Sequence, residues 1–83
     1  MIDGREATRR VKDYFITAHG EFGVLGFQVE GASFNETTKQ WVIRSAFLTS
    51  LGAQNRTTYE VWLSDEGQIL EVKKLAPESH AGR

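Results

Sequence analysis

The stretch TTYEVWLSDEGQILEVKKL, residues 57–75, holds two short alternating apolar runs on either side of Asp65-Glu66-Gly67. Successive side chains of a strand point to opposite faces, so a period of two marks a strand with one buried side. Asp between such runs bonds readily to nearby backbone, and Gly tolerates the positive φ that a tight reversal requires. The stretch therefore predicts a β-hairpin whose strands cover Thr57–Ser64 and Gln68 to about Leu75. Tyr59, Val61 and Leu63 share one face, and Thr58, Glu60 and Trp62 share the other. Pairing across the turn assigns Leu70 and Val72 to the core side and leaves Ile69, Glu71 and Lys73 opposite.

Upstream, Gln40–Leu48 alternates in the same way, with Trp41, Ile43 and Phe47 on one face and Val42, Arg44, Ala46 and Leu48 on the other. Before it, Val24–Phe34 places Leu25, Phe27 and Val29 together, but the apolar parity changes after Gly31, where Ala32 and Phe34 fall on even positions. A β-bulge at Gly31 restores both to the core side. The polar run Asn35–Lys39 joins these two strands, and Thr49–Arg56 joins the second to the hairpin. Connections this short suit antiparallel neighbours, because parallel pairing needs a crossover of a dozen or more residues.

The first residues read as a helix. Asp3 followed by Glu6 has the form of a capping box, and Ala7, Val11, Tyr14, Phe15 and Ala18 recur at helical spacing over residues 4–18. Arg5, Arg9, Lys12 and Asp13 occupy the opposite face, and Gly20 suits a C-terminal cap. The expected fold class is α+β: one N-terminal helix packed on one face of a four-stranded antiparallel β-meander, in the order α-β-β-β-β. Residues 1–76 form a single domain, and the polar segment 77–83, PESHAGR, reads as a disordered tail.

Composition narrows the function classes. Ten basic and eleven acidic side chains are interleaved, for a net charge of −1. Nucleic-acid binding draws its affinity from a basic excess that neutralises phosphates, so no nucleic-acid partner is expected. No apolar run has membrane-spanning or secretory length, so no membrane partner is expected and a soluble, cytoplasmic protein is. There is no cysteine, and His19 and His80 stand far apart. No group of His, Cys or carboxylates has metal-ligand spacing, so neither a metal nor a cofactor is expected. Asp13, Glu21, Glu30, Glu60, Asp65 and Glu66 all fall on exposed faces or in turns, which assigns no catalytic residue. Gly20, Gly23, Gly26 and Gly31 precede or interrupt strands and do not open a helix, unlike a phosphate-binding loop.

One helix covers part of one sheet face, and the other face ought to be polar. Instead it collects Val42, Ala46, Leu48, Trp62 and Ile69 among Arg44, Glu60, Glu71 and Lys73. Tryptophan and arginine are the side chains most enriched at binding hot spots, so the expectation is a protein interface of Val42, Arg44, Ala46, Trp62, Ile69 and Lys73. A homodimer is its simplest form, because an isologous contact needs only one kind of chain. The alternative is a small-ligand or enzymatic pocket between helix and sheet, lined by Tyr14, Phe15, Phe27, Trp41 and Tyr59. Those aromatics equally serve to fill a core, and a small-molecule ligand is not expected.

Gln40-Trp41-Val42, Tyr59-Glu60-Val61-Trp62-Leu63, Asp65-Glu66-Gly67 and Ile69-Leu70-Glu71-Val72, preceded by a helix with Glu6-Ala7 and Arg9-Arg10-Val11, carry a resemblance. In these residues the chain resembles the helix-plus-meander unit of PepSY-type domains and the core of the gas vesicle protein O family, over most of residues 4–75. The resemblance implies the same fold and a non-catalytic role. PepSY-like domains are regarded as modules that bind or restrain peptidases and other partners, usually outside the cytoplasm, and gas vesicle protein O is an intracellular accessory factor. Neither family implies a catalytic residue at any position of this chain.

Overall fold

A computed structural model describes residues 1–52 and 54–75; the tail expected at 77–83 lies outside them. One helix, α1 (Gly4–His19), is followed by a short 3-10 turn (Glu21–Gly23) and four strands, β1 (Leu25–Asn35), β2 (Gln40–Leu48), β3 (Thr57–Ser64) and β4 (Ile69–Leu75). The strands form one antiparallel sheet in the order β1-β2-β3-β4, as the short connections require. Asp3 caps α1, its carboxylate accepting from the Glu6 N–H at 2.8 Å. Gly20, at φ 84°, ends the helix by donating its N–H to the Ile16 carbonyl.

The core lies between α1 and the two central strands. Ala7, Val11 and Phe15 of the helix meet Ile43 and Phe47 of β2 and Val61 and Leu63 of β3, with Val24 closing one end. A helix is about 10 Å across and four strands span roughly 14 Å, so α1 shields the middle of the sheet better than its margins. Tyr14 and Ala18 accordingly remain exposed although they continue the helical apolar stripe. β1 has no fully buried residue, and its Val29 is 37% exposed.

Cross-strand register fixes the faces. Trp41 pairs with Leu63, Ile43 with Val61 and Ser45 with Tyr59, so these residues line the helix side. The bulge expected at Gly31 lies one residue earlier, at Glu30, between the pairs Val29–Ser45 and Gly31–Arg44. Two further irregularities were not expected. One falls between Leu25 and Gln28, where Gly26 takes φ 62°. The other makes Leu70 an extra residue of β4, because Trp62 pairs with Glu71 while Leu63 pairs with Ile69.

That last bulge corrects the facing of β4. Ile69 packs against the helix-side core, and Leu70 is 47% exposed. The expectation that Leu70 is core and Ile69 lies on the open face is thus reversed, since one inserted residue exchanges the two sides of a strand.

Candidate functional site

The open face of the sheet is built in rows across β2, β3 and β4. Val42, Trp62 and Glu71 form one row, Arg44, Glu60 and Lys73 the next, and Ala46, Thr58 and Leu75 the third. Their order follows from the period of two in QWVIRSAFL and TTYEVWLS, which sends every other side chain away from α1. Arg44 Nη2 donates to Glu60 Oε2 at 2.9 Å, and Lys73 is the β4 residue paired with Glu60. An exposed pair of this kind contributes about 0–1 kcal/mol, so it orients the two side chains more than it stabilises the fold.

Four of the six residues expected at an interface share this face in an accessible position. Arg44 and Lys73 are exposed, and Val42 and Trp62 are half-buried against their neighbours. Ala46 belongs to the face by register but is fully buried. Its methyl sits in a row between Gln28 and Thr58 and below Arg44 and Leu48 on its own strand, and larger side chains cover it. Ile69 is on the helix side.

The aromatic side chains expected around a pocket divide between the two ends of the helix. At its C-terminal end Phe15 lies 5.0 Å from Phe47 and 4.8 Å from Tyr59 between ring centroids, and Phe47 stacks on Tyr59 at 5.5 Å. His19 and Phe27 join from opposite sides, each about 6 Å from Phe47, and Tyr14 meets Phe15 edge-on. These separations are those of packed rings, so the space is filled by side chains. Trp41 is elsewhere, beside Phe34 and under Gly4 at the N-terminal end of α1. Its indole N–H and the Ser45 hydroxyl are buried without a hydrogen-bond partner among the described residues.

The largest exposed apolar side chains lie outside both groups. Phe22, between β1 and the helix, is 87% exposed, and Leu51, between β2 and β3, is 92% exposed. Leu25 pairs with Leu48, so both connections belong to the same end of the sheet. Their signal in the sequence is a bulky apolar residue inside a polar, glycine-bearing connection, Glu21-Phe22-Gly23 and Ser50-Leu51-Gly52. At this end too, Asn55, Arg56, Thr57, Thr58, Lys74 and Leu75 line a pocket.

Among the described residues no three His, Cys, Asp or Glu side chains are placed to hold a metal ion, and no helix is long and apolar enough to cross a membrane. No family model, curated protein or solved structure matches the chain.

Proposed function

We propose that this chain is a small, cytoplasmic, non-catalytic association module that pairs with a second copy of itself through the open sheet face. The observation that carries this reading is the position of Trp62: its indole lies on the uncovered side of a central strand, beside Val42 and next to the Arg44–Glu60 pair. A half-buried tryptophan held by neighbours loses little side-chain freedom on contact, which is why such residues anchor interfaces. Around it the charges balance, Arg44 and Lys73 against Glu60 and Glu71. A face with both signs in adjacent rows is complementary to a two-fold-related copy of itself. The resemblance to PepSY-type modules, regarded as non-catalytic partners of other proteins, agrees with this role. Ala46 and Ile69 have no part in the contact.

Light scattering on a size-exclusion column, over a range of loading concentrations, tests the proposal. The wild type is expected to reach the mass of a dimer, and Trp62→Ala to run as a monomer with an unchanged circular dichroism spectrum. A wild type that stays monomeric at every concentration, or a dimer that survives in Trp62→Ala, overturns it.

A further inference from the structure

Phe22 and Leu51 are the two most exposed large apolar side chains among the described residues. Taken singly, an exposed apolar residue needs no account. What these two share is their place. Leu25 pairs with Leu48, and Phe22 stands three residues before the one and Leu51 three residues after the other. They are the tips of two connections that leave neighbouring strands at the same end of the sheet. The turn that carries Phe22 is tied by its own backbone, the Gly23 N–H donating to the Gly20 carbonyl at 3.1 Å and the Val24 N–H to the Glu21 carbonyl at 3.4 Å. Behind that turn Val24 is buried and already closes the core.

Charge is divided between the two ends of the molecule. Phe47 pairs with Thr57 and Thr58 with Leu75, so Arg56 and Lys74 belong to the end that bears the apolar tips. Both cations are exposed, and neither takes part in an ion pair among the described residues. Glu21 is the one acid in the two connections. The hairpin turns at the opposite end carry Glu36, Asp65 and Glu66 against Lys39. A net charge near zero hides this asymmetry, which pairs apolar tips with cations at one end and gathers acids at the other.

A protein interface of ordinary size buries about 800 Å² of contiguous surface on each partner. Two tips flanked by Glu21, Gly23, Ser50 and Gly52 do not make such a patch. A bilayer asks less, because its interfacial layer is fluid enough to admit separate protrusions and its anionic headgroups attract any cation held near the surface. We infer that the loop end docks on an anionic bilayer, with Phe22 and Leu51 entering the boundary between headgroups and acyl chains and Arg56 and Lys74 facing the headgroups. This contact departs from the expectation that no membrane is bound, and it needs no spanning helix. It also leaves the association face clear, since Trp62 lies toward the other end of β3.

The test sediments the full chain with phosphatidylcholine vesicles, with and without phosphatidylserine, at an ionic strength of roughly 0.15 M. The wild type is expected to follow the acidic vesicles and to stay largely behind with neutral ones. Phe22→Ser and Leu51→Ser should each lower the partition coefficient about tenfold, and Lys74→Gln about fivefold. All three positions are exposed, so these variants are expected to keep the wild-type melting temperature and the wild-type mass in light scattering. A chain that remains in the supernatant with every vesicle overturns the inference and leaves the tips to a protein partner. Binding undiminished in both tip variants is adsorption by charge alone, and equal binding to neutral vesicles removes the cations from the contact; either result overturns it. A mass that falls in Phe22→Ser or Leu51→Ser assigns the tips to contact between copies of the chain and overturns it as well.

Discussion

The turns at one end of the sheet and the connections at the other are made from similar residues and behave differently. At the hairpin end, Asn35 Oδ1 accepts from the N–H groups of Thr37 and Thr38 at 2.9 and 3.1 Å, and Ser64 Oγ accepts from those of Glu66 and Gln68. The Ile2 N–H donates to the Asp65 carbonyl at 2.9 Å, and Arg10 of the helix lies over buried Gly67. At the loop end, Phe22 and Leu51 point outward, and a tie across the strands is a side chain's, Arg56 on Gly26. A short polar acceptor just before each reversal locks the first kind of turn onto its own backbone. The connection 49–56 reads as equally polar in sequence, yet its length disperses the polar groups that would otherwise converge on one turn.

If the loop end depends on its ring cluster for order, the largest effect of any single truncation falls on Phe47. This side chain is fully buried and touches Phe15, His19, Phe27 and Tyr59. Phe47→Ala is expected to cost about 3–5 kcal/mol, comparable to the whole stability of a domain this small. Leu63→Ala, at the hairpin end of β3, should cost about 2–5 kcal/mol but leave the turn hydrogen bonds protected longest in hydrogen exchange. Urea melts in the presence of sulfate, which strengthens burial, make both variants measurable. A Phe47→Ala variant destabilised by less than about 2 kcal/mol would mean the rings are not what orders that end.

One substitution made at both ends gives a sharper contrast, because its sign should change. Gly67 has φ 95°, and a Cβ there would come within 2.7 Å of the Arg10 side chain. Gly67→Ala is expected to lose about 1–2 kcal/mol from backbone strain, with some relief if Arg10 swings away. Gly52 is not at positive φ, and nothing lies within 4 Å of its Cβ position. Gly52→Ala should gain about 0.4–1 kcal/mol by narrowing the unfolded ensemble. Thermal melts of the two variants side by side read the difference, and changes of the same sign would remove the distinction between a locked turn and an open connection.

The elements legible in the sequence were those whose signal is local. The Asp3 cap, the helical stripe of Ala7, Val11 and Phe15, and the glycine turn at 65–67 each state their structure within a few residues, and α-β-β-β-β follows from them. What was hidden depends on neighbours far along the chain. Ile69 and Leu70 are both apolar, so their order gives no hint which one the β4 bulge sends to the core. Ala46 alternates correctly onto the open face, but its burial is set by Gln28 and Thr58 on adjacent strands. Trp41 shares a face with the other core aromatics but pairs with Leu63 at the hairpin end of β2, the length of the strand away from Phe47. The pocket at 55–58 and 74–75 exists because two strands pair, and Arg56 finds its hydrogen-bond partner in a carbonyl 30 positions earlier.

The smallest expected effect concerns how the helix is joined to the hairpin end. Glu6 accepts from Arg9 through two nitrogens and from Arg10 Nε at 2.9 Å, and Arg10 in turn covers Gly67. The Arg9 hydrogen bonds first, and the Arg10 hydrogen bond second, hold the Glu6 carboxyl at about 2, well below its ordinary value of 4.5. A carboxyl that releases its proton more readily when folded stabilises the fold fully above the unfolded value, and that stabilisation disappears as pH falls from about 4.5 toward 2. Solvent screens these exposed charges, so the contribution is small. The difference in urea midpoint between the wild type and Glu6→Gln should be present at about pH 6 and shrink below about pH 4.5. Amide shifts of Gly67 and Gln68 should follow the Glu6 titration, whereas those of Phe22 and Leu51 should not. A midpoint difference that persists unchanged at about pH 2, or a titration felt equally at the loop end, would show that the arginine pair does not couple the helix to the hairpin turn.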